Sequence, residues 1–156
     1  MALVLLWSLG VHERALAPFN DAMRAIAPSE FHAAPGIKGF ERSFEKAKEY
    51  AIEKKLEGDE IVLAGLHVID GLRCSFTVDT IARNLEIGRA LEKQFPAARK
   101  KNGHQRSNRS YADRKLNLVA GPLGPDGVRL VCEVQILMKR YIEIKQIGHL
   151  LYEFQR

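Results

Sequence analysis

Apolar positions recur along the chain with two different periods, and the change of period divides it into elements. In residues 12–27, Leu16, Phe19, Met23 and Ile26 follow at spacings of three and four, which predicts a first helix ending at Pro28. Pro35-Gly36 then breaks the chain. Residues 40–57 predict a second helix: Phe40, Phe44, Ala47, Ala51 and Leu56 share one broad face, and Gly58-Asp59 stops it. Residues 61–78 are rich in Ile, Val, Leu and Phe and predict one long strand, or two short ones around Gly65 and Gly71. Helical spacing returns over 79–95 at Ile81, Leu85, Gly88 and Leu91, with Asp79 as the expected N-cap.

Residues 96–113 are polar and basic and predict a loop. Two alternating runs follow. Leu116, Leu118 and Ala120 interleave with Lys115, Asn117 and Val119. Val128, Leu130, Cys132, Val134 and Ile136 interleave with Arg129, Val131, Glu133 and Gln135. Gly121 to Gly127 between them carries strong turn chemistry, so the pair predicts a hairpin with one apolar and one mainly polar face. A last helix is expected over 138–155. The order α-α-β-α-β-β-α predicts an α/β (α+β) fold, a mixed sheet flanked by helices. No repeat or linker interrupts it, so residues 1–156 read as a single domain.

The chain of 156 residues, 46% hydrophobic and 28% charged, is long enough to bury a core. Its net charge of +5 and pI near 9.3 point to an anionic partner: nucleotide phosphates, RNA or an acidic surface. Cys74 and Cys132 lie in apolar stretches without a CxxC spacing, which predicts buried thiols in a reducing compartment. The apolar start, Met1 to Trp7, is too short to span a membrane and lacks a basic flank. It reads as a packed terminal segment of a cytoplasmic protein.

Three groups of residues carry candidate chemistry. Lys115, Asn117, Arg129, Glu133 and Gln135 share the polar side of the hairpin, where a carboxylate beside an amide can hold a divalent metal and polar substrate edges. A solvated outer sheet face has the same pattern. On the last helix Tyr141, Lys145, His149, Tyr152 and Arg156 form one stripe, fit to clamp a phosphorylated ligand or simply to face water. Asp70 lies in an apolar run and needs a partner; Arg73 or a metal are the candidates, with Gly71 as the site of a bulge that turns Asp70 and Arg73 together. Basic residues gather at Arg99, Lys100, Lys101, Arg106, Arg109, Arg114 and Lys115, and again at Lys38, Arg42 and Lys46, spaced by fours. Such groups suit polyphosphate.

Four segments, taken in order, resemble the synthetase domain of the RelA/SpoT family of nucleotide pyrophosphokinases. They are Lys38-Gly-Phe-Glu-Arg-Ser-Phe-Glu-Lys46, Asp70-Gly71-Leu72-Arg73 with Cys74-Ser75-Phe76, Tyr111 to Leu118, and Glu133-Val134-Gln135-Ile136. The resemblance spans roughly residues 36–156. It implies Mg²⁺-dependent transfer of pyrophosphate from ATP to the 3′-hydroxyl of GDP or GTP, giving the alarmones of the stringent response. By that resemblance Asp70 and Glu133 hold Mg²⁺, Lys38 and Lys46 contact ATP phosphates, and Arg73 stacks on adenine. Tyr111 stacks on the acceptor base with Gln135 and His149 nearby. Arg42, Lys115, Asn117 and Lys145 complete the nucleotide site.

The sequence departs from the family pattern at three places. Val68 stands where the family has its metal aspartate, Gly36 replaces an arginine of the adenine sandwich, and Ala112 replaces another arginine. The chain thus resembles a divergent, synthetase-only member. A toxic role, as in related small members, a homo-oligomer and an RNA 3′ end as acceptor are all compatible with it. The alternative is a nucleotide- or RNA-binding module of the same fold without catalysis.

Overall fold

The computed structural model describes residues 1–33, 36–103, 113–123 and 127–142. Helix α1 (Ala2–Arg24) is followed by strand β1 (Phe31–Ala33), helix α2 (Phe40–Lys54), short helix α3 (Asp59–Leu63) and a 3-10 turn (Ala64–His67). Strand β2 (Arg73–Val78), helix α4 (Ile81–Gln94) and strands β3 (Ala97–Asn102), β4 (Asp113–Leu123) and β5 (Val128–Met138) come next. The strands form one sheet in the order β1-β2-β5-β4-β3. Only β2 and β5 run parallel; the other neighbours are antiparallel. The expected mixed sheet with helices is present.

The hairpin is the part that alternation locates most closely, because one face must be dry and the other need not be. Cys74, Phe76 and Val78 of β2 share the buried face with Cys132, Val134, Ile136 and Met138 of β5 and with Leu116, Leu118 and Ala120 of β4. Ala15, Phe19 and Met23 of α1 and Ile87 and Leu91 of α4 cover that face. Both cysteines are buried free thiols, as expected. Burial pushes the Cys132 thiol up to about 12 and the Cys74 thiol further still, so both stay protonated and act as small apolar side chains. A second, smaller cluster joins Leu5 and Leu9 of α1 to Ala47 and Ala51 of α2, with Ala64 and Val68.

The structure corrects five sequence expectations. The first helix begins at Ala2, not at residue 12. Its inward stripe runs through Leu5, Leu9, His12, Ala15, Phe19 and Met23, while the exposed Leu3, Leu6 and Trp7 hide the period of its first turns. Residues 61–72 are not strand. Ile61, Val62 and Leu63 are exposed on α3, whose first turn carries Asp59 and Glu60 at its positive end. The strand starts only at Arg73. Thr80 caps α4, its Oγ1 accepting from the Arg83 N–H at 3.1 Å, in place of Asp79. Residues 97–102 form the edge strand β3 rather than a loop; its charged side chains suit an edge and erase the alternation. The last helix does not begin at residue 138: β5 runs through Met138, and a 3-10 turn spans Lys139–Tyr141.

The contrast along α1 gives a direct test. Phe19 is fully buried and Trp7 is 67% exposed. Phe19→Ala should cost about 3–5 kcal/mol in urea unfolding, and Trp7→Ala should stay within about 0.5 kcal/mol of the parent.

Candidate functional site

Pairing register lines up polar side chains across the sheet. Arg73 of β2 pairs with Glu133 of β5, Glu133 with Asn117 of β4, and Asn117 with Arg99 of β3. Two residues further along β2, Ser75 pairs with Gln135, Gln135 with Lys115, and Lys115 with Lys101. Paired residues share a face, so these two rows lie side by side on the face opposite the core. The first row crosses four strands, about 14 Å at the usual strand spacing, and the second extends one strand further, because Ser75 also pairs with His32 of β1. No residue of either row belongs to the two apolar clusters.

Glu133 is half-buried, and its Oε1 accepts from the Gln135 Nε2 at 2.8 Å. Asn117 is buried, Arg73 is exposed, and the Lys115 ammonium lies 3.5 Å from Asp113 Oδ2. The expected grouping of Glu133 with Asn117, Gln135 and Lys115 on one polar face is therefore present. Sequence reasoning left Arg99, Lys101 and Ser75 without a place on it. For Arg99 and Lys101 the signal is the charge cluster, which the structure divides in two; Ser75 is marked only by its place in the Cys74-Ser75-Phe76 segment. Lys100 and Arg114 fall on the helix face, where both ion-pair with Glu92 of α4 at 2.7 and 2.8 Å. Arg106 and Arg109 lie outside the described residues.

Asp70 occupies a turn between the 3-10 segment and β2, not a strand. Its partners are neither Arg73 nor a bulge-turned neighbour. Asp70 Oδ2 accepts from Lys38 Nζ at 2.5 Å and from Lys46 Nζ at 2.7 Å. Lys38 precedes α2 and Lys46 sits within it; the Lys38 N–H donates to the Gly71 carbonyl at 3.2 Å, tying the two segments together. Gly71 permits a close approach instead of a bulge: a Cβ there would meet the ring of buried His12 at 2.9 Å. Ser8 Oγ lies 3.4 Å from His12 Nδ1.

The electrostatics of this cluster follow from burial and pairing. Burial alone would raise the Asp70 carboxyl, but hydrogen bonds from Lys38 and Lys46 outweigh it and hold it below its usual range. Burial lowers Lys38, and Asp70 offsets only part of the effect. Burial also lowers His12, which is therefore neutral at pH 7. Asp70 Oδ1 is buried and has no hydrogen-bond partner among the described residues.

Other expected site residues fall elsewhere. Arg42 is exposed on α2 and is not drawn to Asp70. Val68 and Asp70 do not share a strand face, because residues 68–72 are not strand; Val68 is buried in the smaller cluster. Tyr111, Ala112, Lys145, His149, Tyr152 and Arg156 lie outside the described residues.

Among the described residues, no group of three or more His, Cys, Asp and Glu side chains gathers to form a metal cage. Magnesium does not need one, since it commonly takes one or two carboxylates plus substrate phosphates. Glu133 fits such a role. Asp70 fits it poorly, because a cation at Oδ2 would meet two ammonium groups already there.

No protein-family model and no curated protein matches the chain. Solved structures do. The small alarmone synthetase 1 from Bacillus subtilis superposes with a TM-score of 0.71 at 14% identity, over 92% of this chain and 76% of that one. The same enzyme bound to its product pppGpp gives 0.58 at 16%, over 79% and 62%. A GTP pyrophosphokinase family protein from Streptococcus pneumoniae gives 0.62 at 14%, over 97% and 74%. The chain has the fold of the small alarmone synthetases.

The Lys38–Asp70–Lys46 cluster predicts a pH-dependent contribution to stability. Asp70→Asn leaves Lys38 and Lys46 without their anion and should cost about 3–5 kcal/mol, most of it from the buried Lys38 pair. The folded carboxyl titrates below its ordinary 3.8. The parent's advantage should therefore be complete above about pH 5 and shrink as pH falls below that ordinary value. Urea midpoints of both proteins at pH 7 and at pH 3 read it directly.

Proposed function

We propose that the chain transfers pyrophosphate from ATP to the 3′-hydroxyl of a guanine nucleotide, GDP or GTP. The observation that carries this reading is the polar row Arg73–Glu133–Asn117–Arg99, set across the sheet of this fold. A neighbour of the same fold holds pppGpp as its product, which supports a guanine nucleotide as acceptor.

The chemistry asks for positioning and charge stabilisation more than for covalent help. In this reading Lys38 and Lys46 offer ammonium groups to the ATP phosphates, and exposed Arg73 offers a planar guanidinium to a base. Glu133 is the carboxylate that would hold Mg²⁺ together with phosphate oxygens; when bound, the ion would neutralise charge developing on the transferred group. Gln135 fixes the Glu133 carboxylate by donating to Oε1, at 2.8 Å. Asn117 and Lys115 face the same space and supply a donor amide and a cation to polar substrate edges.

RNA is the less favoured acceptor. Its binding would draw on a continuous basic surface, whereas Lys100 and Arg114 point away from the polar rows and are paired with Glu92. The basic side chains that remain on the rows make a compact patch, suited to a small polyphosphate.

The test uses γ-labelled ATP with GDP, GTP, ATP or a short RNA as acceptor, with and without Mg²⁺. Label should appear in a guanosine tetra- or pentaphosphate and should require the metal. Glu133→Gln, folded as judged by circular dichroism, should lose about a hundredfold or more in rate. Transfer to neither GDP nor GTP, or full turnover by Glu133→Gln, would contradict the assignment.

A further inference from the structure

Asp70 is the buried carboxylate that the mechanism leaves without a task. Both ammonium nitrogens, from Lys38 and Lys46, lie within 2.7 Å of its one oxygen, Oδ2. They are thereby held close enough together to address a single phosphoryl group. Two ammonium groups so placed repel each other, and a carboxylate between them cancels that repulsion. The charge count leaves one positive charge in excess: two lysines and one aspartate, with the nearby His12 neutral. A partly buried site with an unbalanced cation is complementary to an anion.

A metal role for Asp70 meets two obstacles. Oδ2 is occupied by the ammonium groups, and Oδ1 is sealed from solvent. Mg²⁺ gives up its water reluctantly and would have to reach that oxygen past two cations.

We propose that Asp70 is a positioning residue: it gathers Lys38 and Lys46 into one phosphate-binding pair and is not a ligand of the metal. The proposal rests on the polyphosphate reading of the site and assigns this chain's aspartate a role within it. Asp70 offsets part of the effect of burial on Lys38, so removing the carboxylate lowers Lys38 further. The lost anion therefore does not yield a stronger cation site. The lysines separate, and the convergent pair is gone.

Calorimetric binding of tripolyphosphate in EDTA tests the idea without metal and without turnover. Asp70→Asn should bind about tenfold more weakly than the parent, a loss of one charge-organised contact. Asp70→Glu, which keeps the carboxylate, should recover part of the loss. In the transfer assay the KM for ATP should rise while the Mg²⁺ concentration for half-maximal rate stays within about twofold. Lys46 is half-exposed, so Lys46→Gln offers a second variant that does not depend on filling a buried site. It should show a similar loss in EDTA, and the double variant should lose less than the two single losses combined. Unchanged or tighter tripolyphosphate binding by Asp70→Asn would overturn the proposal. So would a tenfold rise in the Mg²⁺ requirement, which would make Asp70 a metal ligand. A parent that binds tripolyphosphate but transfers nothing would sink the enzymatic reading and leave the lysine pair standing.

Discussion

The position of β5 between a parallel and an antiparallel neighbour is the constraint on which the rest of the structure depends. Its pairing with β2 sets Arg73 beside Glu133, and its pairing with β4 sets Asn117 on the other side. The same register sends Val134 and Ile136 into the core. A slip of one residue would reverse both faces together, burying Glu133 and Gln135 and exposing the apolar set. Core packing under α1 and α4 therefore fixes the polar rows as firmly as any contact within them. The polar rows and the core take alternate residues of one strand.

The lysine–aspartate cluster is anchored differently. Its residues come from the approach to α2, from α2 itself and from the turn before β2, so no single element carries it. The Lys38 N–H to Gly71 carbonyl bond and the close approach of His12 to Gly71 hold these segments in register. The small cluster of Leu5, Leu9, Ala47, Ala51, Ala64 and Val68 packs the first half of α1 against α2 and the 3-10 turn. The small side chains of Ala47, Ala51 and Ala64 allow this close packing, and so bring Lys46 within reach of Asp70.

The hairpin was legible because period two and a Gly/Pro turn occur together there, and burial on one face enforces both. Glu133, Gln135, Asn117 and Lys115 could be assigned to a common face for that reason. Asp70 could not be placed. Ile61, Val62 and Leu63 are β-branched or apolar yet exposed on a helix, so the run from 61 to 78 mimics a strand and carries Asp70 with it. Its true partners lie 24 and 32 residues away in sequence, beyond the reach of a local pattern. The basic cluster at 99–115 shows the same limit. Charge counting finds it, but only pairing of β3 with β4 reveals that Lys100 and Lys101 face opposite sides. The edge strand itself was hidden because two alanines followed by Arg99, Lys100, Lys101 and Asn102 leave no alternation of apolar and polar positions to read.

The nucleotide is expected on the polar rows of the sheet and not on its helix-covered face. A crystal structure of the chain with a non-hydrolysable ATP analogue and Mg²⁺ tests this placement most directly. The polyphosphate is expected at Lys38 and Lys46, the base beside Arg73 and the ion on Glu133. A nucleotide lodged instead in the cleft of about 380 Å³ between α4 and β3, against Ile81, Leu85, Lys100 and Met138, would contradict it.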